Sequence, residues 1–301
     1  MRIGIDLGGT KTEIIALDED GKTLLRRRSA TPRGDYPATV SLIARLIEEA
    51  EQELHCRACV GIGTPGAVSP ATGCIKNANS TWLIGRPLRE DLQAVLQREV
   101  RLANDANCFA LSEATDGAGQ DADLVFGVII GTGTGAGIVM NKRVWVGGNA
   151  IGGEWGHNPM PWFDMAPLPP RRCYCGRSGC IETYLSGPGL SETYRHLTGE
   201  SVRAETIVRL AEQGAVEGEK ALKLYERQLA AALASVINIL DPSVIVLGGG
   251  LSNISRLYRQ VPRLWREYVF SDTVTTPLRQ ACHGDSSGVR GAAWLAGTAH
   301  A

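Results

Sequence analysis

One histidine and three cysteines have the types and the spacing of a metal site. They follow the pattern H-x15-C-x-C-x4-C, and they are His157, Cys173, Cys175 and Cys180. One nitrogen and three sulfur ligands suit a tetrahedral, structural Zn²⁺ and leave no open position for catalysis. A disulfide between Cys175 and Cys180 is the alternative.

Three predicted strands end in glycine-rich loops that could hold phosphate groups. The loops are D-L-G-G-T-K-T at 6–12, G-T-G-T-G at 131–135 and G-G-G at 248–250. Glycine lets backbone N–H groups approach an anion, and threonine and lysine add donors. The first two loops lack the P-loop spacing G-x-x-x-x-G-K-[ST]. Residues 131–136 fit a dinucleotide fingerprint, but the residues that follow predict a strand and a hairpin rather than a helix. Tight hairpin turns without a ligand are the alternative.

Carboxylates and amides form a third group of candidate residues. Asn104 and Asp105 end a predicted strand and open a predicted helix, where either could simply be the N-cap. Glu154 and His157 are three residues apart, and Glu182 follows the cysteine cluster. A sugar hydroxyl can donate to a carboxylate while it accepts from an amide, so this group favours polyol recognition.

A repeated pattern of strands and loops must position these residues. Strands are predicted at 3–7, 13–17 and 22–28, and a similar strand, glycine loop, strand, turn, strand pattern restarts at 124–130, 136–140 and 143–146. Further elements are predicted as helices at 38–54, 88–99 and 229–240 and as strands at 60–63, 100–103 and 244–247. We interpret the repeat as an internal duplication, and two unrelated hairpins are the alternative.

Composition excludes several classes of protein. A chain of 301 residues with 44% hydrophobic residues suggests about two domains. Its 31 Lys+Arg against 32 Asp+Glu create no basic field for nucleic acid or an anionic membrane. The longest strongly apolar stretch, 124–130, is too short to span a membrane. Asp6 lies where a signal peptide would be apolar, so we expect a cytoplasmic protein with reduced thiols.

Four motifs together resemble the ROK family of sugar kinases and regulators. They are D-L-G-G-T-K at 6–11, L-A-N-D-A-N at 102–107, E-x-G-H at 154–157 and C-x-C-G-x-x-G-C-x-E at 173–182. The resemblance implies an α/β, actin-like ATPase (ribonuclease H-like) fold with two duplicated α/β domains flanking a cleft. We expect an N-terminal domain at 1–115, on which a C-terminal helix at about 288–301 packs back. The expected C-terminal domain is 116–287, with the zinc-binding segment at 157–180.

The resemblance also implies roles for individual residues. Asp105 matches the family's general base, and Asp6 matches the carboxylate that helps to place Mg²⁺ through water. The sugar-binding set implied is Gly66, Asn79, Asn104, Asp105, Glu154, His157 and Glu182. The ATP-binding set implied is Gly8, Gly9, Thr10, Lys11, Thr12, Thr132, Gly133, Thr134 and Gly249. Zinc-containing members of the family use the same four metal ligands.

Within the family, the sequence resembles the fructokinase and mannokinase branch through residues 77–82 and 157–159. We therefore expect an ATP-dependent kinase that phosphorylates fructose at the 6-hydroxyl, with mannose or glucose as side substrates. An N-acetylhexosamine or glucose kinase is the alternative within the family. A sugar-responsive regulator is the alternative from another class, disfavoured because no basic recognition helix precedes Asp6. The expected partners are a hexose and ATP, with a possible homodimer and neither nucleic acid nor membrane.

Two further segments suggest no function. Cys56 and Cys59 form an isolated C-x-x-C after a predicted helix, which favours ordinary thiols over a redox pair. The proline-rich segment 159–172 predicts a surface loop.

Overall fold

The structure is a computed structural model that describes residues 1–162 and 168–297. Its strands are β1 (Arg2–Leu7), β2 (Lys11–Leu17), β3 (Thr23–Ala30), β4 (Cys59–Thr64), β5 (Ala67–Val68), β6 (Ile75–Lys76), β7 (Val100–Asn104), β8 (Leu124–Ile130), β9 (Thr134–Met140), β10 (Arg143–Val144), β11 (Val244–Gly248) and β12 (Leu278–Gln280). Its helices are α1 (Tyr36–Leu54), α2 (Leu88–Leu96), α3 (Asp105–Thr115), α4 (Glu182–Leu185), α5 (Gly187–Thr198), α6 (Ala204–Glu212), α7 (Val216–Leu240), α8 (Leu257–Leu264) and α9 (Ser287–Ala296).

Two five-stranded sheets repeat one strand order. The first sheet runs β3-β2-β1-β4-β7 and the second runs β10-β9-β8-β11-β12. In the first, β2 is antiparallel to β1 and β3, whereas β4 is parallel to β1 and β7. In the second, β10 is antiparallel to β9, whereas β11 is parallel to β8 and β12. The duplication predicted from the sequence is therefore present as a repeated sheet topology.

The chain forms two compact units, each assembled from separate segments. Unit 1 comprises Met1–Asp123, Gly137–Gly153 and Cys282–Ala301, and unit 2 comprises Leu124–Ala136 and Glu154–Ala281. These interleaved units differ in range from the contiguous domains expected at 1–115 and 116–287, which stay a prediction.

Glycines let α9 pack at backbone distance on the first sheet. A Cβ on Gly4 would lie 2.3 Å from the carbonyl oxygen of Val289, and one on Gly61 would lie 2.0 Å from that of Ala292. A Cβ on Gly291 would lie 1.6 Å from the carbonyl oxygen of Cys108 in α3. Helix α9 thus packs directly both on the first sheet and on α3. Residues 298–301 of the helix expected at 288–301 lie outside the described residues.

Several element ends differ from the sequence predictions. Helix α2 ends at Leu96, before the predicted residue 99, because Gln97 adopts a left-handed conformation with φ 51°. Strand β9 begins two residues before Ala136, and β10 ends at Val144, which leaves Trp145 and Val146 outside it. Residues 163–167 of the predicted loop 159–172 lie outside the described residues. Among the described helices, none is long and apolar enough to cross a membrane.

Candidate active site and metal centre

Parallel pairing brings two acidic residues to one edge of the first sheet. Asp6 in β1 is in register with Gly63 in β4, and Gly63 is in register with Ala103 in β7. Asp105 begins α3 directly after β7. The carboxyl ends of parallel strands are the usual location of ligand sites in α/β sheets. Asp6 and Asp105, expected from the resemblance to place Mg²⁺ and to act as the base, therefore lie at the same edge.

The environment of Asp6 opposes its negative charge. Burial, followed by the charges of Asp105 and Glu13, raises the pKa of Asp6 to about 7, although Arg28 acts in the opposite direction. Such a carboxylate suits a divalent cation, because the cation offsets the repulsion from neighbouring acids. A Cβ on Gly288 of α9 would lie 3.5 Å from Oδ2 of Asp6. The role of Asp6 in placing Mg²⁺ through water stays a prediction.

A fully buried thiol lies behind these carboxylates. Burial, together with Asp6 and Asp105, raises the pKa of Cys108 well above its usual value. A Cβ on Gly63 would lie 3.2 Å from its sulfur atom. Cys108 therefore stays neutral and fills the space between α3 and the sheet.

Asn104 is the N-cap of α3, as one of the two sequence interpretations proposed. Its Oδ1 accepts a hydrogen bond from the backbone N–H of Ala106 at 2.9 Å. Oδ1 of Asp105 accepts from the same N–H at 2.8 Å. Capping uses the amide oxygen of Asn104, so the amide nitrogen of this side chain retains its two donor hydrogens for a ligand.

The first glycine loop is a tight turn that exposes two of its predicted phosphate-binding residues. The backbone N–H of Gly8 donates to the carbonyl of Lys11 at 2.9 Å, and a Cβ on Gly8 would lie 2.7 Å from that oxygen. Thr10 and Lys11 are exposed at this turn. Thr12 is fully buried, and its hydroxyl hydrogen-bonds to Oγ1 of Thr31 at 2.8 Å. The structure therefore does not bring the Thr12 side chain to the loop surface.

Two weaker candidates adjoin this loop in unit 1. Gly66 has φ +80°, and a Cβ there would lie 2.3 Å from the carbonyl oxygen of Lys76, so the position favours glycine for conformation and for space. Asn79 is exposed and precedes Ser80, whose Oγ would lie 3.2 Å from a Cβ on Gly9. The three segments 8–11, 66 and 79–80 consequently belong to one group of loops.

The second glycine loop is bound by a carboxylate from a distant part of unit 2. Oε2 of Glu182 accepts a hydrogen bond from the backbone N–H of Thr134 at 3.0 Å, and a Cβ on Gly133 would lie 2.8 Å from the same oxygen. Thr132 is exposed. The Thr134 hydroxyl is buried without a hydrogen-bond partner among the described residues. Gly249 has φ +82°, and a Cβ there would lie 2.6 Å from the carbonyl oxygen of Ile130, so the third glycine cluster contacts the base of this loop.

The four predicted metal ligands converge in unit 2. Their ligand atoms all lie within 4.8 Å of one another. Nδ1 of His157 is 3.5 Å from Sγ of Cys173, and the sulfur atoms of Cys175 and Cys180 are 3.6 Å apart. Tetrahedral zinc with Zn–S bonds of about 2.3 Å separates its ligands by about 3.8 Å. The cluster fits a structural Zn²⁺, and its thiols are free.

Local backbone structure explains how closely spaced cysteines reach one ion. The N–H of Cys173 donates to the carbonyl of Arg177 at 2.8 Å, and Gly176 adopts φ +88° within this turn. Burial raises the pKa of Cys180 to about 12, whereas a backbone hydrogen bond at Arg177 lowers that of Cys175. Because a bound Zn²⁺ replaces thiol protons, zinc affinity should increase with pH.

The metal cluster lies next to both expected sugar-binding glutamates of unit 2. Glu182 begins α4 two residues after Cys180. Glu154 is exposed and precedes the 3₁₀ turn Trp155–His157, where its carbonyl accepts from the N–H of His157 at 3.4 Å. The indole of Trp155 is buried and donates to the carbonyl of Ala232 at 3.2 Å. A metal ion bound to His157 would therefore order the segment that carries Glu154.

A cavity of about 550 Å³ adjoins the metal cluster within unit 2, and its lining includes Thr132, Pro169, Tyr174 and Glu182. Arg171, also in the lining, donates to the carbonyls of Thr183 and Gly189, both at 2.8 Å. Sequence reasoning missed Arg171 and Tyr174. The position of Tyr174 between two predicted ligands was the one available signal.

The two sheets with one strand order are those of an α/β, actin-like ATPase fold. The ROK family model matches residues 2–299, so the chain belongs to the ROK family. It is thus a ROK family sugar kinase, as the sequence motifs indicated.

Similarity to individual proteins extends over nearly the whole chain. A protein of Photobacterium profundum named N-acetyl-D-glucosamine kinase is 42% identical over 98% of this chain and 99% of its own length. The crystal structure of a ROK hexokinase from Thermus thermophilus has 31% identity and a TM-score of 0.85, covering 98% of this chain and 97% of that one. A ROK family glucokinase from Streptomyces griseus, solved with glucose and AMPPNP, has 27% identity and a TM-score of 0.76, covering 98% of each chain.

Proposed function

We propose that this protein is an ATP-dependent N-acetyl-D-glucosamine kinase that phosphorylates the sugar at its 6-hydroxyl. The observation that carries the proposal is the 42% identity, over 98% of the chain, to a protein named for this activity. The relatives named above are an N-acetyl-D-glucosamine kinase, a hexokinase and a glucokinase, so they do not support the expectation of fructose. The N-acetylhexosamine alternative is therefore preferred within the family.

Asp105 is the proposed general base. Phosphoryl transfer depends mainly on positioning and on stabilisation of charge, and a carboxylate accepts the proton of the attacking hydroxyl. The location of Asp105 at a strand end, at the N-terminus of α3, supports this role. Helix α3 packs at backbone distance against α9, which limits movement of the base.

Three exposed residues of the glycine loops and the half-buried Gly133 are the proposed contacts for the ATP phosphates. Thr10 and Lys11 supply a hydroxyl and an ammonium group, and Thr132 and Gly133 supply a hydroxyl and backbone donors. Asp6 would hold Mg²⁺ through water. When bound, the ion would neutralise charge on the phosphates.

The proposed sugar contacts combine acceptors with donors. Glu154 and Glu182 accept hydrogen bonds from sugar hydroxyls, whereas the Asn104 amide nitrogen donates. Zinc would not touch the reacting atoms and would order the segments that carry both glutamates. A homodimer and a cytoplasmic location stay predictions.

A coupled assay of ADP release tests the proposal. The zinc-replete protein is supplied with MgATP and with N-acetylglucosamine, N-acetylmannosamine, glucose, mannose or fructose, and kcat/KM is compared. We expect N-acetylglucosamine to exceed fructose at least tenfold, a modest difference for selection by pocket contacts. A higher kcat/KM for fructose would restore the first expectation, and turnover of no sugar would contradict the kinase proposal.

A further inference from the structure

Tyr174 makes a hydrogen bond to a metal ligand while most of its side chain remains exposed. Its hydroxyl is 2.9 Å from Nε2 of His157. The two rings meet edge to face, with centroids 5.1 Å apart and an interplanar angle of 86°. Tyr174 is nevertheless 81% exposed. The hydroxyl is therefore held while the ring stays accessible to solvent or to a ligand.

The hydrogen bond determines which nitrogen of His157 is available to a metal. Nδ1 faces the cysteine sulfurs, at 3.5 Å from Cys173. A neutral imidazole has one protonated nitrogen and one lone pair. If Nε2–H donates to the Tyr174 hydroxyl, the lone pair is on Nδ1, where Zn²⁺ would bind. Metal-binding histidines usually have such a partner for the second ring nitrogen, and its loss costs about 10- to 100-fold in metal affinity.

The exposed part of Tyr174 faces a space suited to a ligand. Tyr174 lines the cavity of about 550 Å³ together with Thr132 and Glu182. Ligand cavities combine apolar or aromatic walls with a few polar groups that fix orientation. Here Pro169 and Tyr174 supply apolar surface, and Glu182 supplies a carboxylate.

We propose that Tyr174 positions His157 for zinc through its hydroxyl and forms, through its ring, a wall of the acceptor-sugar site. The second part rests on the proposed function. A phenol suits both tasks because its oxygen accepts from His157 while its ring remains apolar. Tyr174 thereby connects the zinc cluster to the cavity beside Glu182.

Two substitutions separate the two tasks. Tyr174→Phe removes the hydroxyl and keeps the ring, so we expect zinc affinity, measured by competition with a chromogenic chelator, to fall about 10- to 100-fold. At saturating zinc, the KM of this variant for N-acetylglucosamine should stay within about twofold of wild type, because the ring that contacts the sugar remains. Tyr174→Ala removes the ring as well, and its KM for N-acetylglucosamine should rise roughly tenfold at saturating zinc.

Tyr258→Phe is the matched control. It removes another phenolic hydroxyl of unit 2, which donates to the carbonyl of Ser252 at 2.6 Å, away from the metal cluster. We expect its zinc affinity to equal that of wild type. Unchanged zinc affinity in Tyr174→Phe would overturn the positioning role, and an unchanged KM in Tyr174→Ala would overturn the role of the ring. If wild type turned over no amino sugar, the proposed function would fail, whereas the zinc titration would still test the first role.

Discussion

The two sheets share one strand order but differ in the charges at their glycine loops. In the first, Asp6 lies two residues before Gly8. In the second, the corresponding position two residues before Gly131 is Ile129. The second loop receives its carboxylate from Glu182, which accepts the N–H of Thr134 at 3.0 Å. One topology thus supports two different loop environments.

The two units differ in how their carboxylates are held. In unit 1, burial and then the charge of Asp105 raise the pKa of Asp6, so the charged form of Asp6 costs folding free energy. In unit 2, Glu182 is held by a backbone donor and follows a cluster of metal ligands. We infer that the first sheet carries the charge of the reaction and that the second holds its loop by a metal-ordered turn.

The largest expected effect is on catalysis, from Asp105→Asn. The amide cannot accept the hydroxyl proton, so kcat should fall about 10²- to 10⁴-fold. Nucleotide binding and the unfolding temperature should change little, because asparagine can replace aspartate at a helix start. The ADP-release assay measures kcat, with Asp20→Asn in an exposed turn as the control. Near-normal turnover by Asp105→Asn would remove the chemical role assigned to unit 1.

Loss of a zinc ligand should lower the stability of the fold, which Asp105→Asn should leave almost unchanged. Cys173→Ser leaves three ligands, and we expect at least about 4 kcal/mol of stability to be lost, because structural zinc contributes about 10 kcal/mol or more in small zinc domains. The KM for the sugar should also rise, since Glu154 and Glu182 lie beside the cluster. Thermal unfolding with measured zinc content tests this, and Cys56→Ser, an exposed cysteine of unit 1, is the control. Wild-type stability in zinc-free Cys173→Ser would refute the supporting role.

Asp6→Asn should stabilise the fold while it impairs activity. The pKa of Asp6 is raised from 3.8 to about 7. Between these values the folded state keeps a proton that the unfolded state has lost, so the contribution of Asp6 to stability falls as pH rises and reaches its minimum above pH 7. The variant should therefore exceed wild type by up to about 4 kcal/mol at pH 8, with a difference that vanishes near pH 3.

Denaturant unfolding at several pH values measures this difference. Asp20→Asn, which changes an exposed carboxylate outside the acidic edge, is again the control. If the Asp6→Asn protein were less stable than wild type at pH 8, the negative charge of Asp6 would not destabilise the folded state.

The sequence predicted the elements and the metal cluster better than it predicted loop contacts. Apolar segments located β1, β2 and β8 to within two residues, and ligand spacing identified the cluster at His157. The helix predicted at 229–240, however, begins at Val216 in α7. The burial of Thr12 could not be read from its motif, since its hydroxyl bonds to Thr31, nineteen positions away. The bond from Thr134 to Glu182 spans 48 residues. Both contacts depend on tertiary packing rather than on local pattern.

The smallest expected effect separates two tasks of Asn104, which are capping α3 and donating a hydrogen bond to the sugar. Ser186, the N-cap of α5 in unit 2, serves for comparison, because its side chain only accepts from the N–H of Gly189 at 3.1 Å. Alanine at either position should cost about 1 kcal/mol of stability, because one capping acceptor is lost. Asn104→Ser keeps a capping oxygen but removes the amide donor, so its stability should be retained while KM for the sugar rises about five- to tenfold. Ser186→Ala should leave that KM unchanged. Equal KM values for wild type and Asn104→Ser would mean that Asn104 only caps its helix, as Ser186 does, and that Asp105 acts without its neighbour.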